Sequence, residues 1–229
     1  MSEANESQAT QAPPVGGKLH GVSLSPFVRK VRAVLAIKNI DYELVNVMPG
    51  AMGPEFHSMS PLSKVPVWEE SDWTLPDSSV IAAYLERAVP SPSIHSGDAR
   101  DYGKELFWEE YADTRLIDAG GAVFFQRVVR AKIFKEKPDE SLISRSLDEM
   151  LPMVFDQLEA LFIERDGADP SKLTLGNLAI WSPLVNLEHA GVEIDAQRWP
   201  GMARFYSELS RHPVLAALLE EERAALASY

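Results

Sequence analysis

The strongest constraint on the fold of this chain is a proline. In Lys64-Val65-Pro66-Val67 it heads an apolar run, and a proline is kept to strand beginnings and edges because it has no N–H to give to a ladder. A fixed and often cis X-Pro bond at such a place is a placed feature. Twelve residues on stands Asp77-Ser78-Ser79-Val80-Ile81, an acid and two hydroxyls ahead of the apolar pairs Val80-Ile81 and Tyr84-Leu85, which repeat at helical spacing. Asp or Ser at a helix start satisfies orphan N–H groups, and the helix dipole favours carboxylates at that end. A proline-fixed backbone beside a polar helix N-terminus makes a pocket able to grip a peptide-like ligand through main-chain bonds.

The surrounding pattern alternates. Lys18 to Gly21 reads as a short strand, and Ser25-Pro26 as a helix start with a hydroxyl cap and proline at the first helical position. Val28, Val31, Val34 and Leu35 then form an amphipathic stripe that ends at Asn39. Tyr42 to Val47 begins a second strand, and Pro49 to Pro61 is a Gly/Pro loop with at most a short helix. Val67-Trp68-Glu69 and Trp73-Thr74-Leu75 flank a hairpin turn, and Ser79 to Ala88 is a helix. Pro90-Ser91-Pro92-Ser93 with Gly97 has a linker composition. Beyond it strand patterns are scarce. Helices are expected over 99–134, with Gly120-Gly121 as a bend or close-packing point, and over 140–165, kinked at Pro152. Further helices are expected from Thr174 to Ala190, from Trp199-Pro200 to Arg211 and from His212-Pro213 to Ala227.

Taken together, the order and spacing of these motifs resemble the soluble glutathione S-transferase family. The resemblance includes Ser25-Pro26-Phe27-Val28-Arg29-Lys30-Val31-Arg32 and runs through most of the chain, leaving out the Ser/Glu/Gln/Ala/Pro tail at 1–15, which reads as disordered. It implies an α/β thioredoxin-like domain with a mixed four-stranded sheet over 16–90, a linker over 91–98, and an all-α helical-bundle domain over 99–229 that binds the electrophile. It also implies glutathione as co-substrate, a hydrophobic small-molecule electrophile, a homodimer and a cytoplasmic location. The backbone of Val65, before Pro66, would pair with the cysteinyl part of glutathione. Asp77-Ser78, where the family usually has Glu-Ser, would bind the γ-glutamyl end. Lys64 would reach the glycyl carboxylate, and Phe27 would lie in the same site. In serine-type members a serine at position 25 points its hydroxyl at the sulfur, with Ser23 as the alternative. Tyr111, Thr114 and Arg115, with Phe124 and Phe125, would offer an electrophile wall. Asn177 stands where the family usually has a capping aspartate.

Composition narrows the chemistry. There is no cysteine, which excludes disulfides, thiolate metal sites and a protein thiol nucleophile, so any sulfur chemistry must borrow its sulfur. His20, His57, His95, His189 and His212 form no close pair at metal-ligand spacing, and no metal is expected. The net charge of −12 argues against nucleic acid and anionic membrane as partners. Arg29, Lys30 and Arg32 read as a solvated helix face. A free thiol of pKa about 8.5 is only ~3% thiolate at pH 7, and lowering it by about two units takes ~2.7 kcal/mol. A hydrogen bond to a charged acceptor supplies roughly 1.5–3 kcal/mol and a helix N-terminus roughly 0.3–1, so two donors suffice. The alternatives are a glutathione-dependent isomerase or dehalogenase, whose zeta-type Ser-Ser-Cys-Ser run is replaced here by Ser23-Leu24-Ser25-Pro26, and a non-catalytic interaction module.

Overall fold

A computed structural model describes residues 16–48, 52–163 and 169–229. The tail expected over 1–15 and the helix end expected at Arg165 lie outside the described residues. Strand β1 (Gly17–His20), helix α1 (Pro26–Ile37), β2 (Tyr42–Val45), α2 (Pro54–Met59), β3 (Val67–Glu70), β4 (Trp73–Pro76) and α3 (Ser78–Ala88) build the first half. The sheet order is β2-β1-β3-β4, with β1 parallel to β2 and antiparallel to β3, and β3 antiparallel to β4. This is the mixed four-stranded, thioredoxin-like sheet that the β-α-β, loop, β-β-α order implied. The β3–β4 hairpin turns at Ser71-Asp72, with Ser71 at φ 57°.

After a segment without helix or strand from 89 to 98, the chain is helical: α4 (Ala99–Tyr111), α5 (Ile117–Phe124), α6 (Glu140–Arg145), α7 (Leu151–Ile163), α8 (Leu175–His189), α9 (Pro200–Arg211) and α10 (Pro213–Ala227). Three π-helical stretches, Ala112–Leu116, Phe125–Ile133 and Ser146–Met150, join or extend these without a break. The last lies immediately before the turn holding Pro152, which has no N–H to return to Asp148. Gly120 is a close-packing point: a Cβ there would stand 3.1 Å from Leu187 Cδ2. Nothing lies within 4 Å of one built on Gly121.

Helix α8 is buried on nearly every residue and is the axis of the helical half. Thr174 caps it by accepting from Asn177 N at 3.3 Å. Asn177 does not replace the missing carboxylate; its amide instead donates to the carbonyls of Asp169 (2.7 Å) and Lys172 (2.8 Å) and secures the entering loop.

Helix α1 packs against α8, α3 and α10. Its apolar stripe, Val28, Val31, Val34 and Leu35, is fully buried in the core that also holds Leu19 and Trp68 of the sheet. The cationic stretch corrects the sequence expectation. Arg29, Lys30 and Arg32 are not a solvated face; they are 0%, 1% and 3% exposed, turned against the helical half and paired there. Among the described residues no helix is long and apolar enough to cross a membrane.

Candidate functional site

Ser25 is placed by its own helix. Its Oγ accepts from Val28 N at 3.4 Å, its N–H donates to Val22 O at 3.0 Å, and Pro26 occupies the first helical position. Gly21, just before this turn, has no room for a side chain: a Cβ would stand 2.4 Å from Val28 Cγ2. The loop and the sheet thereby press together at the head of α1.

Across from this turn, the Val65–Pro66 peptide is cis. Ser60 holds the preceding residue from both sides, its Oγ accepting from Lys64 N at 3.1 Å and donating to Lys64 O at 2.8 Å. Pro66 O accepts from Asp77 N at 3.3 Å, which joins the proline turn to the start of α3. Asp77 sits at φ 81°, and its Oδ1 caps α3 by accepting from Ser79 N (3.0 Å) and Val80 N (3.2 Å). A non-glycine residue in that backbone region is a local strain, which the Pro66 bond and the capping bonds oppose. Ser78 is buried behind it.

A cleft of about 690 Å³ opens between the two halves. Ser23, Ser25, Phe27, Lys64 and Val65 line it from one side. The other side is a stripe of one helical face, Asp113, Leu116, Ile117, Gly120, Gly121 and Phe124, continued by Phe125, Val129, Ile133 and Phe134. Met48, Met52 and the terminal Tyr229 complete the wall, and Lys135 Nζ donates to Tyr229 O. Pro66, Asp77 and Ser78 are not among the lining residues; they form the junction beside the Lys64-Val65 edge.

Tyr111, Thr114 and Arg115 do not line the cleft. Tyr111 turns to α7, where its hydroxyl donates to Gln157 Oε1, and Thr114 Oγ1 donates back to Glu110 O at 2.7 Å. Arg115 is exposed. Burial raises the Tyr111 hydroxyl pKa, with the Arg115 charge opposing. Phe124 and Phe125 do reach the cleft. The wall that sequence reasoning missed repeats at i, i+3, i+4, i+7, i+8 and i+11 from Asp113, a signal readable once Gly120 and Gly121 are counted with the apolar residues.

Behind Asp113 lies a charge cluster. Lys30 Nζ donates to Asp113 Oδ2 at 2.5 Å, to Glu109 Oε1 at 3.0 Å and to Ser79 Oγ at 3.2 Å. One buried ammonium thus serves two carboxylates from the helical half and the first turn of α3. Burial pushes the Asp113 carboxyl above its ordinary pKa, and the Lys30 charge and hydrogen bond offset only part of that.

The geometry defines a two-part protein, a thioredoxin-like half and a helical half, with a hydroxyl-headed helix and a cis-proline turn together on one side of an apolar cleft. Residues 19–93 match the family model for the glutathione S-transferase N-terminal domain. The chain is 24% identical to a glutathione S-transferase of Triticum aestivum over 90% of its length and 93% of the relative's. It superimposes on a glutathione S-transferase from Rhodospirillum rubrum F11 with a TM-score of 0.77 at 25% identity, covering 88% of this chain and 91% of that one. A glutathione S-transferase from Methylobacterium radiotolerans in complex with glutathione sulfonate gives 0.71 at 25% identity, covering 90% and 95%. Residues 19–93 thus form a glutathione S-transferase N-terminal domain, and over most of its length the chain is similar to soluble glutathione S-transferases.

Proposed function

We propose that this chain is a serine-type glutathione transferase that holds glutathione as its thiolate for attack on a bulky apolar electrophile. The observation that carries the reading is that the Ser25 hydroxyl, at the head of α1, and Val65, at the cis-proline turn, line one apolar cleft. The Val65 backbone pairs with the cysteinyl part of the tripeptide. Lys64 attracts the glycyl carboxylate, and Phe27 packs against the ligand. Asp77 and Ser78 take the γ-glutamyl end, the acid receiving its ammonium and the helix N-terminus of α3 its carboxylate. Ser25 gives its O–H to the sulfur while a lone pair still accepts from Val28 N, so capping and activation coexist on one hydroxyl.

In the reaction the thiol proton leaves to solvent. The thiolate lone pair then forms the S–C bond as the electrophile's leaving group departs with its bonding pair, or as its activated double bond takes up the electrons. The Phe124, Phe125 and Phe134 wall suits an apolar or aromatic substrate, and Asp113 and Asp118 at the same cleft disfavour an anionic one. With no cysteine in the chain, protein-thiol reductase chemistry is not open to it.

The cytoplasm is the location this reading implies, and a homodimer the assembly. Leu62, Trp73, Val80 and Phe107 are large apolar side chains left exposed between α2 and β3, on β4, on α3 and on α4, which suits burial against a second copy.

Calorimetry tests the reading. Glutathione should bind saturably at millimolar concentration or below, and Ser78→Ala should weaken it by about 1–3 kcal/mol. No saturable binding would refute the reading.

A further inference from the structure

The turn that carries Ser25 is held from outside its own domain. Asn186 Nδ2 donates to Leu24 O at 3.1 Å, and Ser182 Oγ donates to Pro26 O at 2.6 Å. Both side chains come from α8, four residues apart and so on one helix face, and the two carbonyls they hold are those directly flanking Ser25. Both residues are buried.

Their proton directions are fixed by Arg29, which has donors only. Its Nη1 donates to Asn186 Oδ1 at 2.6 Å and to Ser182 O at 2.7 Å, with Ser182 Oγ at 3.4 Å. The amide oxygen of Asn186 must therefore face Arg29 and its NH₂ must face Leu24, and the Ser182 hydroxyl must spend its proton on Pro26. Arg29 is locked in turn by Glu222 of α10, through Nε at 2.9 Å and Nη2 at 2.5 Å, and Glu222 accepts from His189 Nε2 at 3.0 Å. With Arg29 a donor only, the Asn186 amide and the Ser182 hydroxyl each meet both of their partners in one orientation.

We propose that Asn186 and Ser182, oriented by Arg29, are positioning residues for the activating hydroxyl: they peg the backbone on both sides of Ser25 and so set the angle at which its O–H meets the glutathione sulfur. The inference rests on the transferase reading. A hydroxyl that only caps its helix is aligned by Val28 N alone. One that must also meet a sulfur at hydrogen-bond distance needs its own backbone held, and here the second domain supplies the hold.

The test compares Asn186→Ala, Ser182→Ala and Ser182→Thr in the full chain. Saturable glutathione binding by the unaltered protein is measured first; its absence would overturn the transferase reading and this inference with it. Given binding, each alanine variant should raise the pKa of the bound thiol, read from thiolate absorbance, and lower kcat by roughly five- to tenfold. KM for glutathione should stay within about twofold, because the ligand contacts at Lys64, Val65 and Ser78 are untouched. Ser182→Thr, which keeps the hydroxyl, should restore both. Amide exchange at Ser25, whose N–H bonds Val22 O, should quicken in the alanine variants with or without glutathione. Exchange that quickens while thiol pKa and kcat stay unchanged would show that the network holds the loop without orienting the hydroxyl, and would overturn the inference while leaving the transferase reading intact. A parallel loss of kcat and thermal stability that Ser182→Thr fails to restore would overturn it as well.

Discussion

Arg29 and Lys30 are neighbours on one helix, both withdrawn from water, and the fold settles them by opposite means. Arg29 meets one carboxylate, Glu222, in a site where the remaining donors and acceptors are taken by Ser182, Asn186 and His189. Burial pushes the Glu222 carboxyl up, but the Arg29 charge and the His189 and Arg29 hydrogen bonds outweigh it and hold the group below the ordinary glutamate range. Lys30 meets two carboxylates with one charge, and Asp113 ends above the ordinary aspartate range because burial wins. The planar guanidinium suits the first site, where several donors must be fixed in direction, and the compact ammonium suits the second, where one point charge is shared. A deep, directional network supports the Ser25 turn; a strained, partly neutralisable one borders the cleft.

Breaking the first network should have the largest effect. Arg29→Met leaves Glu222 buried with only the more distant Arg32 Nη1, at 4.0 Å, as its arginine partner, and should cost about 3–5 kcal/mol in denaturant unfolding. A cost near zero would mean that the network is solvated in solution. Lys30→Met should cost less, about 2–3 kcal/mol at neutral pH, because Asp113 can take up a proton. Part of that loss should return on mild acidification, which Arg29→Met should not show.

The next effect is smaller and tests the α3 end of the site. Asp77→Ala removes the acceptor of Ser79 N and Val80 N, and should lower stability by about 1 kcal/mol, measured in denaturant, besides weakening glutathione. Unchanged stability with weakened binding would show that the carboxylate serves the ligand and not the helix.

The smallest effect sharpens the comparison most, since it concerns signs. Glu222 has a depressed folded pKa, so its stabilisation is complete above the ordinary glutamate value of about 4.3 and is lost as pH falls through its folded value. Asp113 has a raised one, so its folded-state penalty stands at neutral pH and is relieved as pH falls through its folded value towards the ordinary aspartate value of about 3.9. Asp113→Asn should therefore raise the melting temperature at pH 7 by a few degrees at most and remove the gain on mild acidification. Lower stability at pH 7 would reverse the assignment.

Much of this was legible in the chain because its signals are local. Ser25-Pro26 marks the start of α1, the Val28–Leu35 stripe marks its buried face, and Pro66 ahead of an apolar run marks the turn before β3. The two faces of α1 differ here. Its apolar face can be read from spacing, whereas the burial of Arg29, Lys30 and Arg32 depends on Glu222, Glu109, Asp113 and Glu221, partners brought near by the second domain. A cation with such a distant partner looks like any solvated one. The cleft wall failed for a related reason. Tyr111, Thr114 and Arg115 share a face, but which face of a long helix meets the other domain is decided by packing, and here Asp113 and Phe124 share the face that lines the cleft while Tyr111 turns to α7.

The central claim is that a serine hydroxyl at the head of α1 holds the glutathione sulfur as thiolate, and titrating the thiolate absorbance of bound glutathione tests it most directly. In the unaltered protein the thiol pKa should fall well below its free value of about 8.5, and Ser25→Ala should return part of that shift and slow the reaction roughly 10- to 150-fold, with affinity at low pH nearly unchanged. Ser23→Ala should do neither. A pKa shift that follows Ser23 and leaves Ser25→Ala with only a loss of thermal stability would contradict the account.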